Sequence, residues 1–284
     1  MTVWRIPAVM AAVPSALAAS STAAWAVGMA EPWQSNLQPA RSPVMESLTS
    51  LHDGLLILIT LITIFVLALL VICIVKFNAK ANPTPSRTSH NTVLEVLWTV
   101  LPIVILVGIA IPSFKLLYFQ DRAVDAEMTI KAIGNQWYWT YEYPDHGDIT
   151  FDAVMLEDGE RKEGQPRLLA TDTTVVVPVD TRVRVLVTAT DVLHAWAIPS
   201  FGIKIDGVPG RLNETWFQAT EVGMYYGQCS ELCGIRHGFM PIQLKVVSKD
   251  EFAAWVEQAK VQFGDASPAT GGGVRLANAQ ASVD

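Results

Sequence analysis

Residues Leu55–Val75 read LLILITLITIFVLALLVICIV, 21 positions without a charge, bounded by Asp53 and Lys76. At ~1.5 Å per residue, a helix of that length crosses the roughly 30 Å hydrocarbon core of a bilayer. Val96–Phe114 is a second uncharged run, 19 residues closed by Lys115, with Pro102 and Pro112 inside it. Membrane helices tolerate internal proline because neighbouring groups re-satisfy the freed carbonyls. A buried hairpin of a soluble protein is the bland alternative, and two such runs in tandem argue against it. The sequence therefore predicts a transmembrane helical hairpin over 51–118. The link between the spans carries Lys76, Lys80 and Arg87 and no acid before Glu95. By the positive-inside rule it faces the cytoplasm, which places both termini outside.

Composition agrees with a membrane chain. Of the 284 residues 51% are hydrophobic and only 17% charged, below the roughly 25% usual for soluble domains. The net charge of −7 argues against nucleic acid as a partner. Upstream of the spans, residues 1–26 combine Arg5, an Ala-rich apolar stretch and the small-x-small signature Ala24-Trp25-Ala26. They read as a secretory signal peptide, which implies bacterial export. Residues 27–50 then form an extracytoplasmic N-terminal segment.

Downstream the character changes to an exported β domain over 119–263. Thr181–Thr190 (TRVRVLVTAT) places Val183, Val185 and Val187 on one face and Arg182 and Arg184 on the other, which is strand periodicity. Thr174–Val179, Thr215–Ala219, Gly223–Gln228 and Ile242–Val247 are further short β-prone runs punctuated by Gly and Pro, as in a sandwich or barrel. One helix follows: Ser248 and Glu251 form a capping box ahead of Phe252, Trp255, Val256 and Ala259 at helical spacing. Residues 264–284 are Ser/Pro/Gly-rich and predict a disordered tail.

Chemistry concentrates in Cys229-Ser-Glu-Leu-Cys233-Gly-Ile-Arg-His237-Gly-Phe-Met240. Soft thiolates, an imidazole and a thioether suit copper better than any hard cation. The two cysteines, four residues apart, could bridge a pair of metal ions, and a second imidazole is available from His194 in Asp191-Val-Leu-His194-Ala-Trp, a loop just after the alternating strand. A Cys229–Cys233 disulfide is one alternative for an exported chain, and zinc is another. Neither accounts for the spaced histidine and methionine together.

GQCSELCGIRHGFMP, DVLHAWAIP and the paired spans resemble cytochrome c oxidase subunit 2 over nearly the whole mature chain. The resemblance implies a cupredoxin-like β-sandwich with a two-copper CuA centre. Cys229 and Cys233 match the bridging thiolates, His194 and His237 the terminal imidazoles, Met240 the axial thioether, and Glu231 the residue that offers its backbone carbonyl. The Glu231 side chain also matches a magnesium ligand shared with subunit 1. Trp137, in Gly134-Asn-Gln-Trp-Tyr-Trp139, matches the tryptophan that receives the electron from cytochrome c. Asn135 replaces a residue that is commonly histidine in this family. Glu142, Asp148, Asp172 and Asp191 match docking carboxylates, with Val154 standing where a docking tyrosine is expected. Between residues 120 and 260 there are 21 acids against 13 Lys plus Arg, a balance that would steer a basic partner. Glu95 matches the glutamate at the mouth of a proton pathway; its plain reading is an interfacial anchor. Cys73, mid-span, reads as packing. The implied partners are oxidase subunit 1 and the other subunits, cytochrome c and the lipid bilayer. The implied location is the bacterial inner membrane, with the copper domain on the periplasmic side.

Three other function classes fit less well. Nitrous oxide reductase shares a two-copper loop but is soluble. Quinol oxidase subunit 2 shares the spans but lacks the ligands. A copper-delivery protein needs neither the aromatic ribbon nor Glu95. A haem domain fused to the tail is excluded by the lack of Cys-x-x-Cys-His.

Overall fold

The computed structural model describes residues 28–121, 125–147 and 149–264. The expected signal peptide, residues 265–284 of the expected tail, and Asp148 lie outside them.

Helix α1 spans Pro43–Lys76 and α2 spans Thr92–Asp121. Along the uncharged runs their Leu, Ile, Val and Phe side chains are largely exposed, a surface that water penalises and lipid does not. α2 continues through Pro102 and Pro112. α1 begins about three turns before the uncharged run, because Ser42 and Pro43 provide a strong helix start. Ser42 Oγ accepts from the Met45 amide at 3.0 Å and donates to the Phe201 carbonyl at 2.7 Å. The helix cap is thus also a bond into the β domain, where Val44 and Met45 are buried. Arg41 adds backbone bonds to Ser200 and Thr220 and an ion pair with Glu221 at 2.9 Å. The outer end of α2 is fixed too: Trp216 Nε1 donates to the Phe119 carbonyl at 2.9 Å, and the two rings meet edge to face.

The β domain contains β1 (Met128–Asn135), β2 (Tyr138–Tyr143), β3 (Ile149–Ala153), β4 (Val175–Pro178), β5 (Arg182–Ala189), β6 (His194–Ile198), β7 (Ile203–Gly207), β8 (Asn213–Gln218), β9 (Gly223–Gln228) and β10 (Pro241–Val247). One sheet has the order β3-β2-β1-β5-β8, another β4-β10-β9, and β6 and β7 form a hairpin. Pairing is antiparallel except for β1 with β5 and β4 with β10. The alternation in β5 is as expected: Val183, Val185 and Val187 are fully buried while Arg182 and Arg184 face outward. The inner faces share one core that includes Trp139, Tyr141, Tyr143, Trp196, Phe217, Tyr225 and Leu244.

The polar ends of the buried aromatics are bonded between elements, as burial demands. The Tyr143 hydroxyl donates to the Val176 carbonyl at 3.0 Å and accepts from the Val176 amide at 2.9 Å. Trp196 Nε1 donates to the Tyr141 hydroxyl at 3.1 Å. Helix α3 (Lys249–Phe263) closes one flank with the capping box formed in both directions, and Trp255 packs on Tyr143.

Candidate metal centre

β9 ends at Gln228 and β10 begins at Pro241, so the Cys229–Met240 loop joins two paired strands. Its neck is closed by the Cys229 amide donating to the Met240 carbonyl at 3.3 Å, and the Ser230 amide ties it to Ala195 of β6 at 3.0 Å. His237 lies in a short turn, His237–Phe239, directly before Met240.

This fold brings the expected donors together. Both thiols are free and buried, with Sγ atoms 3.9 Å apart, almost twice the ~2.05 Å of a disulfide. His194 Nδ1 is 3.8 Å from Cys229 Sγ, and His237 Nδ1 is 3.5 Å from Cys233 Sγ. Met240 Sδ lies 3.5 Å from Cys233 Sγ, and the Glu231 carbonyl 3.3 Å from Cys229 Sγ. The ligating atoms of His194, Cys229 and Cys233 all fall within 4.8 Å of one another. Two thiolates, two imidazole nitrogens, a thioether and a carbonyl are a donor set that suits copper. His194 is not in a loop; it opens β6 and is fully buried.

The electrostatics prepare the pair unequally. Burial opposes ionisation of Cys229, yet its contacts with His194 and with the backbone of Glu231 and Ala195 outweigh that and bring the thiol down to about 6. Cys233 moves the other way, up to about 12, through burial and the adjacent Cys229 thiolate. Burial pulls His194 down, but its bonds to Cys229 and Asp191 win and raise it. Two like charges so close do not both form without a cation. Near neutral pH the metal-free pair therefore keeps one proton, on Cys233.

Trp137 is half-buried beside the loop, its indole N–H donating to the Cys233 carbonyl at 3.2 Å. Gln136 Nε2 donates to the same oxygen at 2.8 Å, a contact that only its adjacency to Trp137 hints at in the sequence. Asn135 is absorbed locally, with Nδ2 donating to Thr140 Oγ1 at 3.0 Å and Oδ1 accepting from Thr190 Oγ1 at 2.6 Å. Two further supports carry no sequence signal. A Cβ on Gly134 would lie 2.7 Å from the His194 ring, and Trp139 meets that ring edge-on with its Nε1 bonded to the Met240 carbonyl.

The acids are placed differently from one another. Glu142 pairs with Lys131 at 3.0 Å, Asp172 accepts from the Val154 and Thr173 amides, and Asp191 bonds inward to His194 Nε2 at 2.9 Å. Glu95 occupies the first turn of α2, at the end of the hairpin remote from the β domain, and is not part of this cluster.

Comparison with known proteins gives the family of the chain. Residues 30–116 match the family described as cytochrome C oxidase subunit II, transmembrane domain, and residues 128–247 match its periplasmic domain. A probable cytochrome c oxidase subunit 2 of Rickettsia bellii is 55% identical over 225 residues, which is 79% of this chain and 84% of the relative. The cytochrome c oxidase subunit 2 of Arabidopsis thaliana is 48% identical over 244 residues, 84% of this chain and 94% of the relative. The crystal structure of the periplasmic domain of subunit II of cytochrome oxidase (CoxB) of Bradyrhizobium japonicum is 57% identical. It covers 50% of this chain and 99% of that one, with a TM-score of 0.47. Two family matches that together cover most of the chain, and relatives near half identity over most of their length, lead to one conclusion: the chain belongs to the cytochrome c oxidase subunit 2 family.

Proposed function

We propose that this electron-accepting oxidase subunit takes single electrons from a c-type cytochrome into a dinuclear copper centre of the CuA type and delivers them to the haem of subunit 1. One observation carries the reading: two free thiols 3.9 Å apart, each with an imidazole Nδ1 of its own within 3.8 Å. In this reading Cys229, Cys233, His194, His237, Met240 and the Glu231 carbonyl would together hold the two coppers. Bound there, copper would supply a one-electron redox store. The chain's part is to fix the ligands on paired strands, to bury both sulfurs away from water, and to surrender the remaining Cys233 proton on loading.

Trp137 is assigned as the electron's point of arrival, supported by its hydrogen bond to the Cys233 carbonyl. The acidic domain surface, with Glu142, Asp148, Asp172 and Asp191, is assigned to docking of a basic cytochrome, and the rate of docking should fall as salt rises. Glu95 is assigned to proton uptake and the Glu231 side chain to magnesium at the contact with subunit 1. The chain is assigned to the bacterial inner membrane, with the hairpin in the bilayer, the β domain on the periplasmic side and residues 1–26 removed.

Copper analysis and electron paramagnetic resonance of the purified full-length chain test the centre. The expected result is two coppers per chain with one unpaired spin shared between them. One copper, zinc, or a Cys229–Cys233 disulfide that takes up no metal after reduction would overturn it.

A further inference from the structure

Asp191 lies at the surface beside the metal cluster, where its carboxylate would be read as one more docking charge. Its bonds give it a second task. Oδ1 accepts from His194 Nε2 at 2.9 Å and from the Val192 amide at 2.6 Å, and Oδ2 accepts from the Gln136 amide at 2.6 Å. Three of about four lone-pair positions on an ionised carboxylate are thus taken by donors of its own chain, and the side chain is only 29% exposed.

The donors come from two separate elements. His194 opens β6. Gln136 sits in the turn between β1 and β2 and, together with Trp137, donates to the Cys233 carbonyl. Asp191 therefore joins a ligating histidine on one side to the Trp137 turn on the other, and that turn grips the second cysteine. Thr190 reinforces the same junction, its amide donating to the Gly134 carbonyl at 3.1 Å and its hydroxyl to Asn135 Oδ1 at 2.6 Å.

We infer that Asp191 is a positioning residue: it fixes the tautomer and ring orientation of His194 and holds the Trp137 turn in register with the metal loop. The chemistry follows from the acceptor. A carboxylate can only accept, so Nε2 carries the proton of the neutral imidazole, which leaves the Nδ1 lone pair for the metal position. A carboxylate behind a ligating histidine also raises its basicity. This inference rests on the copper reading of His194.

The test compares Asp191→Ala and Asp191→Asn with wild type in the full-length chain in detergent, by copper titration against a chelator, and in the assembled oxidase, by absorption and spin-resonance spectra and electron-transfer kinetics. Asp191→Ala is expected to bind copper roughly 10–100-fold more weakly, as loss of an outer partner to a ligand does, with altered copper hyperfine structure. Asp191→Asn retains an oxygen acceptor for His194 but turns its amide nitrogen, a donor, toward the Gln136 amide. It should keep copper and lose first-order electron-transfer rate at saturating donor. Wild-type copper affinity and spectrum in Asp191→Ala would overturn the inference. So would a change confined to KM and salt dependence in Asp191→Asn, the outcome that decides the matter should the alanine variant fail to accumulate. A wild-type chain that binds no copper pair refutes the parent reading instead, and is distinguished by being independent of position 191.

Discussion

Gly134→Ala is a single methyl group aimed at the imidazole of His194. Its Cβ would stand 2.7 Å from both Cγ and Cδ2 of His194, whereas carbon atoms rest at ~3.5–4.0 Å, so something must retreat by about 1 Å. The strand cannot, because Gly134 is paired to Trp139 on one edge and Ala189 on the other, and its carbonyl holds the Thr190 amide. The imidazole must give way, and it is fully buried with Trp139 edge-on beside it. Moving it strains the 2.9 Å bond to Asp191 and carries Nδ1 away from its 3.8 Å approach to Cys229. Overpacking of this kind costs ~1–3 kcal/mol, while alanine recovers ~0.5–1 kcal/mol relative to glycine inside a strand, so global stability falls by only about 1 kcal/mol. Copper binding should suffer far more, roughly 10–100-fold. The assay is copper titration of the full-length chain followed by spin resonance, with Gly108→Ala as the comparison, since a Cβ there meets nothing within 4 Å. Wild-type copper affinity and spectrum in Gly134→Ala would refute the claim that this close approach sets the histidine's position.

Trp137→Phe removes the indole bond to the Cys233 carbonyl but keeps an aromatic ring; copper content should stay at wild type while electron arrival from the donor slows about tenfold, a barrier change of ~1.4 kcal/mol, read by stopped-flow, and an unchanged rate counts against Trp137 as the point of arrival. Ser42→Ala deletes a cap that also bonds Phe201 and should cost about 1 kcal/mol, seen as earlier thermal unfolding of the β domain in the intact chain; no shift would show that the joint to α1 is unimportant. Copper loading should depend on pH in one direction. Above about 6 Cys229 is already a thiolate and only Cys233 must lose a thiol proton, whereas below it Cys229 must lose one as well. Affinity should therefore fall, and proton release measured by calorimetry in two buffers should rise, as pH drops through that value; proton release constant between pH 5 and 8 would contradict the split thiol pair.

The cluster of soft donors was legible because its chemistry is local: five of the six proposed ligands lie in one loop of twelve residues, and softness alone points toward copper. β5 and the α3 cap were legible for the same reason, each being a pattern complete within a few residues. β1 and β6 were not, since most of their residues are buried by contacts from distant strands and show no clean alternation; β7 does alternate, but over only five residues. The early turns of α1 escaped notice because Glu46, His52 and Asp53 interrupt the apolar run, while the signal that extends the helix, Ser42 before Pro43, gains force from its bond to Phe201, 159 residues away in sequence. Gly134, Gln136 and the inward bonds of Asp191 depend on which loops the sandwich brings face to face, and no spacing encodes that.

α1 passes without a break from the lipid-facing run into the β domain, where its cap, Val44 and Met45 are buried and Arg41 is bonded on both sides. With α2 fastened through Trp216, both spans are joined to the sandwich by hydrogen bonds and packing. Any change in bilayer thickness that makes the spans lean must tip the whole sandwich with them. Membrane composition becomes a mechanical input to how the β domain is oriented above the bilayer.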